Sequence, residues 1–295
     1  MSTNIHAEQK PLIYQIGIHV KLVDDATFCK SIIADGKELI TGKESGELVV
    51  PELNDEKVYI TFKEDLTSLA NAFSGCSALK SIPENLFANC PKATDFSFTF
   101  FGCKALTAIP EGLFANNPKV TIFQGTFSYC SALKSLPANL FANNRKVNSF
   151  RLTFSGCSAL KSIPEKLFAN CPKVNTFFQT FALCKSLKSI PTGLFAHNPE
   201  VTDFSGTFSG CSALESIPKN LFANNRKVTD FSYTFTGCYA LTGESPYTMI
   251  GDKKVHLYER ANYPEHFTKL TVFWECFKNC TGLTDYAQIP TNWKE

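Results

Sequence analysis

The sequence predicts a repeat solenoid: stacked coils in which short strands form a parallel β-sheet and short turns of helix close the corners, preceded by a small β-domain. Three observations carry this expectation. Cys76, Cys103, Cys130, Cys157, Cys184, Cys211 and Cys238 follow one another every 27 residues, a fixed period of the kind that marks repeat architectures. The surroundings repeat as well: Phe100, Phe127, Phe154, Phe181, Phe208 and Phe235 open successive units, and Leu106, Leu133, Leu160, Leu187, Leu214 and Leu241 follow six residues later. The composition is skewed to match, with 27 Phe against 2 Met and 2 Trp, as a reused core position requires.

Each unit reads TF-x-GC-x-AL-x-x-IP-x-x-LFAN-x-x-KVTDF and divides into two similar halves. Phe73 is followed by Cys76, Leu79 and Ile82, and Phe87 by Cys90, Ala93 and Phe96, at the same offsets. Each half predicts a short turn of helix (AFSGC, LFANC) leading into a short strand (ALKSIP, KVTDF). Proline ends the first strand because it has no N–H to give a ladder. Such a coil has no core of its own; stacking buries its Phe, Leu, Ile and Val columns.

The array is expected over residues 65–295. Asp65–Leu69 stands where Lys92–Phe96 stands one unit later, and 268–280 matches 91–103 column by column. The excess between Cys238 and Cys280 falls at 243–262, read as an insertion projecting from one coil. Tyr286, Ile289, Pro290 and Trp293 are expected to close the end, since terminal repeats cap the core. Residues 1–64 do not repeat. Ile16, Ile18, Val20 and Leu22 alternate with polar residues as in a half-buried strand. Ala34-Asp35-Gly36-Lys37 predicts a hairpin turn, and LVVPEL and KVYITF further strands. This segment is read as an N-terminal cap or attachment module.

With 29 basic and 27 acidic residues the net charge is +2, so the overall balance gives no footprint for nucleic acid or an anionic membrane. No apolar run is long enough to span a bilayer. MSTNIHAEQKPLIYQIG lacks the basic and apolar regions of a secretory signal.

The units AFSGCSALKSIP, TFSGCSALKSIP and TFSGCSALESIP resemble the repeats of the BspA-like leucine-rich repeat family over about residues 65–290. The resemblance implies a right-handed solenoid with a parallel sheet, and a role in adhesion or recognition at microbial surfaces. The unit here is longer than is usual in that family.

No chemistry-bearing motif stands out. Of the 12 cysteines, Cys276 and Cys280 are the one close pair, a weak metal signal. Stacked coils would bring equivalent cysteines within disulfide reach, but Asn117, Asn144, Asn198 and Asn225 replace cysteine in the second half-unit, which favours buried free thiols. The column Asn89, Asn116, Asn143, Asn170 and Asn224, with His197, is read as buried amides bonding backbone at the coil corner. Lys134, Lys161 and Lys188, and Lys92, Lys119, Lys146 and Lys173, stack as ladders that suit either solvated surface or an anionic polymer. No nucleophile with a base, paired carboxylates or phosphate loop appears, so no catalytic, cofactor or metal residue is assigned.

The repeats differ most at two residues between the repeated Phe and the repeated Thr-Phe. Phe98, Gln124, Arg151, Phe178, Gln179 and Tyr233 are the candidate partner-binding residues, expected along one line of outward strand positions, because Arg, Phe and Tyr suit an interface. The expected function is non-enzymatic binding or adhesion: display of this surface, outside the cell, to a cell-surface protein or glycan, with residues 1–64 free to join other virion or surface proteins. The alternatives are a virion fibre or decoration protein of a phage infecting gut bacteria, and a structural spacer. Neither nucleic acid nor a membrane span is expected.

Overall fold

The computed structural model describes residues 10–39 and 46–295. From Thr67 onward the chain forms stacked coils, 27 residues apart except at the last step, Asp230 to Val272, which spans 42. Parallel bridges run Ser68, Asp95, Ile122, Ser149, Thr176, Asp203, Asp230 and Val272, each to the next. Three columns of phenylalanine rings fill the interior. In the column from Phe73 to Phe277, successive rings lie parallel with centroids 5.3–5.8 Å apart. The Phe87 and Phe96 columns run beside it, with rings crossing between columns at offset and edge-on angles. Those are the geometries that aromatic quadrupoles favour. The core columns expected from the repeat, Leu160 among them, are buried.

The local conformation differs from the expectation. No helical turn forms in the repeats of the described residues; consecutive tight turns take its place. Thr99, Phe101 and Cys103 donate their N–H to the carbonyl three residues back, while the alternate residues Phe98, Phe100 and Gly102 donate to Gln124, Thr126 and Ser128 of the next coil at 2.8 Å. This alternation needs two left-handed residues four apart in every coil, here Phe98 (φ 56°) and Gly102 (φ 67°). A right-handed helix cannot contain them. The KVTDF strands likewise shrink to single bridges, and among the ALKSIP segments only Leu79–Ser81 forms a strand.

Three polar columns line the inner corners, and all use one contact. Thr126 Oγ1 donates to Phe96 O (2.9 Å), Cys130 Sγ to Phe100 O (3.1 Å) and Asn117 Nδ2 to Phe87 O (3.0 Å), each reaching the residue thirty positions earlier. The exchange of Cys for Asn between coils follows: both present a short donor to the same carbonyl. The expectation for asparagines needs correcting by one residue. Asn89, Asn116, Asn143, Asn170 and Asn224 are exposed, as is His197; the buried amides are Asn117, Asn144, Asn198 and Asn225. In a tight turn, successive side chains diverge, so the inward position is the one the cysteines share. Asn143 and Asn224 do bond backbone, but from the outside.

Nine strands are present among the described residues: β1 (Leu12–Tyr14), β2 (Gly17–Val23), β3 (Cys29–Ala34), β4 (Lys37–Glu38), β5 (Leu48–Leu53), β6 (Lys57–Phe62), β7 (Leu79–Ser81), β8 (Tyr247–Ile250) and β9 (Lys253–His256). Five make a sheet in the order β4-β3-β6-β1-β7; β2 pairs with β5, and β8 with β9. The predicted hairpin joins β3 to β4 through Asp35 (φ 48°) and Gly36 (φ 69°), the left-handed pair that a two-residue hairpin needs. Because β7 belongs to the first coil, the N-terminal strands lie directly against the stack. Phe62 covers Phe73 and Phe87 at 6.0 and 5.5 Å. At the other end Trp293 stacks on Phe273 at 4.9 Å and Phe277 at 6.0 Å.

The 243–262 segment does not project. It folds as the β8–β9 hairpin and a 3-10 helix, Leu257–Asn262, lying across the end of the stack. Asn220 N donates to Tyr247 O, and the buried Arg260 reaches Phe222 O. A polar segment docks here because the last regular coil leaves carbonyls in need of donors.

Candidate functional site

The described cysteines are all free and buried. Burial pushes the Cys29, Cys171, Cys211 and Cys280 thiols up to about 12. Thiols so disfavoured as thiolates are poor nucleophiles and poor metal ligands. No group of three or more His, Cys, Asp or Glu side chains among the described residues has the geometry to hold a metal ion.

One polar cluster resembles catalytic machinery. Ser245 Oγ lies 2.9 Å from His256 Nδ1 and donates to Asp285 Oδ2 at 2.5 Å, with Ser245 N also on Asp285. Tyr258 stacks on the His256 ring at 5.2 Å. Ser245 gives its hydroxyl proton to the Asp285 carboxylate, while the role of His256 Nδ1 at Oγ depends on the imidazole tautomer. Ser245 is also wholly buried. The cluster ties the inserted hairpin to the last coil.

The distinctive surface is the face formed by the tight turns. The six candidate residues occupy two neighbouring columns there, not one line of strand positions. Gln124, Arg151 and Phe178 share the first column; Phe98, Gln179 and Tyr233 share the second, where the backbone is left-handed at φ 56°, 49° and 57°. Arg151 and Phe178 form one unit, with the guanidinium 3.7 Å over the ring.

Residues missed by inspection of the variable pair lie in the other left-handed column, four positions on. Most coils carry Gly there, as in SGC, but Tyr129 and Leu183 interrupt it as SYC and ALC, a signal the sequence does contain. With Leu152 this makes six non-glycine residues held at positive φ on one face between Phe98 and Tyr233, and Asn71, Glu275 and Asn279 continue the two columns in the end coils. Each costs roughly 1–2 kcal/mol against the right-handed alternative. For Phe98, Tyr129, Gln179 and Leu183 the space comes from glycine in the next coil. A Cβ on Gly125 would sit 2.4 Å from the Phe98 ring, on Gly156 2.7 Å from Tyr129, on Gly206 2.8 Å from Gln179, and on Gly210 2.7 Å from Leu183. At these four places a large side chain thus lies over a glycine of the next coil.

The result is an exposed apolar surface on a rigid backbone. Phe98 meets Phe101 edge-on at 5.9 Å, and Phe101 meets Tyr129 at 5.5 Å. Among the described residues eight large hydrophobic side chains are exposed, and Tyr129, Leu183, Tyr233, Tyr239 and Trp274 stand on this face or at its border. No described helix is long and apolar enough to cross a membrane.

Comparison with known proteins places these coils. The profile of the BspA type Leucine rich repeat region matches residues 58–229 in 6 copies. No curated protein matches the chain. Among solved structures, the APL1 leucine-rich repeat domain is 15% identical, covers 49% of this chain and 39% of its own, and has a TM-score of 0.33. A chain of the Toll–Spatzle complex from Drosophila is 16% identical over 70% of this chain and 32% of its own, with a TM-score of 0.32. A leucine-rich repeat protein from Bacteroides ovatus is 18% identical over 77% and 70%, with a TM-score of 0.24. This chain therefore spans about a third of the length of the first two.

Proposed function

Since the chain belongs to the BspA-type leucine-rich repeat family, we propose that it is a non-enzymatic recognition protein whose coils, continuing as a solenoid, display the tight-turn face outside the cell to a cell-surface protein or glycan. The observation behind this reading is the set of side chains at Phe98, Tyr129, Leu152, Gln179, Leu183 and Tyr233. Glycine would relieve the backbone at each, and other coils use it there. Strain of this kind is retained where the side chain is wanted for something outside the fold. Tyr129, Tyr233 and Arg151 are of the residue types that dominate interface energetics. Their backbone is held by hydrogen bonds along and between coils, so little conformational freedom is lost on binding.

The test is capture of a partner by the intact chain on a glycan array and against bacterial and host surface proteins, repeated with Arg151→Ala/Phe178→Ala. Binding should weaken by about 2 kcal/mol or more, while the melting temperature stays unchanged because neither side chain is in a core column. A partner held equally well by this variant and by Tyr129→Gly/Tyr233→Gly would place recognition elsewhere, on the 243–262 hairpin or residues 1–64.

A further inference from the structure

The net charge of +2 conceals a strong polarity along the stack. Residues 96–199 contain 11 Lys and Arg but only Glu111 and Glu165 as acids, a balance of 11 − 2 = +9. The rest of the chain therefore holds 29 − 11 = 18 basic and 27 − 2 = 25 acidic residues, a balance of −7. The central coils are basic and the two ends acidic.

On the face of the second half-coil, the cations of the central coils are Lys119, Arg145, Lys146, Arg151 and Lys173, all exposed. Residues 118–125, 145–152 and 172–179, which make this face in three successive coils, include no Asp or Glu. The flanking coils neutralise the same ladder: Lys92 pairs with Asp65 at 2.5 Å, and Lys227 with Glu200 at 2.7 Å. Lys119, Arg145, Lys146 and Lys173 make no ion pair with any described residue. The parallel bridges Ile122–Ser149–Thr176 hold these coils in register, so the positive charges repeat once per coil along a straight line. From Lys119 to Lys173 this is two steps, about 10 Å at strand spacing.

We propose that this band binds a linear acidic polysaccharide, its carboxylates or sulfates meeting the cations coil by coil. The proposal rests on the recognition reading above and names the ligand class for one part of that face. Charge complementarity selects a polyanion, because like charges at strand spacing repel one another and a polyanion relieves that. The neighbours choose between polyanions. Between the cations stand Thr121, Gln124, Asn148 and Asn175, which give and accept hydrogen bonds with sugar hydroxyls. Single-stranded nucleic acid needs open aromatic faces for its bases, and the Phe178 ring in the band already has Arg151 over it.

The experiment titrates the intact chain with oligogalacturonates of increasing length, with neutral cello-oligosaccharides, and with single-stranded DNA of equal charge. Two exposed triple variants are compared: Lys119→Gln/Lys146→Gln/Lys173→Gln in the band, and Lys134→Gln/Lys161→Gln/Lys166→Gln off it. The acidic oligosaccharide should bind, the neutral one should not, and the band variant should weaken binding on the order of tenfold or more while the other leaves it unchanged. Equal losses in both variants would reduce the effect to net charge and overturn the proposal. So would tighter binding of the DNA, or no binding of the acidic glycan. If the glycan fails but a partner is captured and lost in Arg151→Ala/Phe178→Ala, the recognition function stands and this ligand assignment falls.

Discussion

The guanidinium of Arg260 donates to the carbonyl oxygen of Phe222 across 2.9 Å and reaches Asn225 O at 3.4 Å. These are the two carbonyls that the asparagine of a following coil would take, as Asn225 itself takes Phe195 O and Asn198 O. The inserted hairpin thus supplies the missing donor and ends the column. Arg260 is fully buried against the Phe231 and Phe267 rings, and burial pulls its pKa down to about 9.

Removing that side chain should unravel the end of the stack first. Arg260→Ala leaves a cavity and two undersatisfied carbonyls, and should cost on the order of 3–5 kcal/mol. Arg260→Met keeps the volume and removes a buried charge, so it should cost less than half as much. Chemical denaturation of the two variants checks the order. Equal losses would show that packing is irrelevant and the donors are everything.

Alkaline pH should unfold the protein steeply. The buried thiols have folded-state pKa values raised to about 11 at Cys90 and about 12 at Cys29, Cys171, Cys211 and Cys280, with others higher. Above pH 9 the unfolded chain loses these protons while the folded one keeps them. The stability they contribute is complete below about pH 8 and is lost as pH rises through the folded values. Each fully shifted thiol contributes a slope of about 1.4 kcal/mol per pH unit. Arg260 acts in the opposite sense, but as one group against many. Melting temperature should be flat from pH 7 to 8 and fall sharply above 9. The same burial predicts no reaction with a thiol reagent in the native state, full reaction in denaturant, and no dependence of stability on reductant.

In the second-half column, Cys and Asn should interchange. Asn144 Nδ2 donates to Phe114 O and Asn117 O, but its Oδ1, like those of Asn117, Asn198 and Asn225, is buried without a partner. An orphaned buried acceptor costs about 1–3 kcal/mol. Asn144→Cys replaces the amide's donated bonds with a weaker thiol donor to the same carbonyls and removes that orphan, so its stability should lie within about 1 kcal/mol of the parent. Asn144→Leu, larger in apolar bulk and without a donor, should lose several times more. A large loss for the cysteine variant would show that the amide geometry matters beyond one donated bond.

The repeat period, the core columns, the Asp35–Gly36 hairpin and the closing role of Trp293 could be read from sequence, because each rests on a local pattern or on identity between units. What could not be read arises between coils. The AFSGC segments looked helical by composition; only the inter-coil bonds, which take every second N–H, force two left-handed residues into each turn. Asn116 and Asn117 are adjacent in sequence, and which one faces inward follows from those turns. The docking of Arg260 depends on carbonyls left open by a coil that is missing. The basic band was hidden by a balanced total, since acids at both ends offset the cations of the middle.

The Tyr129–Gly156 pair separates strain kept for recognition from strain kept for packing. Tyr129 holds φ at 58° and leans over Gly156, itself at φ 74°. Gly156→Ala adds a backbone cost of about 1–2 kcal/mol and a collision of its Cβ with the Tyr129 ring. In the Tyr129→Gly background the collision disappears and the backbone cost remains. A double-mutant cycle on folding stability should therefore return a coupling of about 1 kcal/mol or more. Tyr129→Gly alone removes the strained side chain, and its folding stability should change by less than about 1 kcal/mol, since glycine adopts this φ freely but adds entropy to the unfolded chain. Partner binding should nevertheless weaken, because the ring is 47% exposed and contributes outward area. A variant that binds normally but unfolds easily would invert the assignment: Tyr129 would be holding adjacent coils together, and its left-handed backbone would be a structural cost with no recognition role.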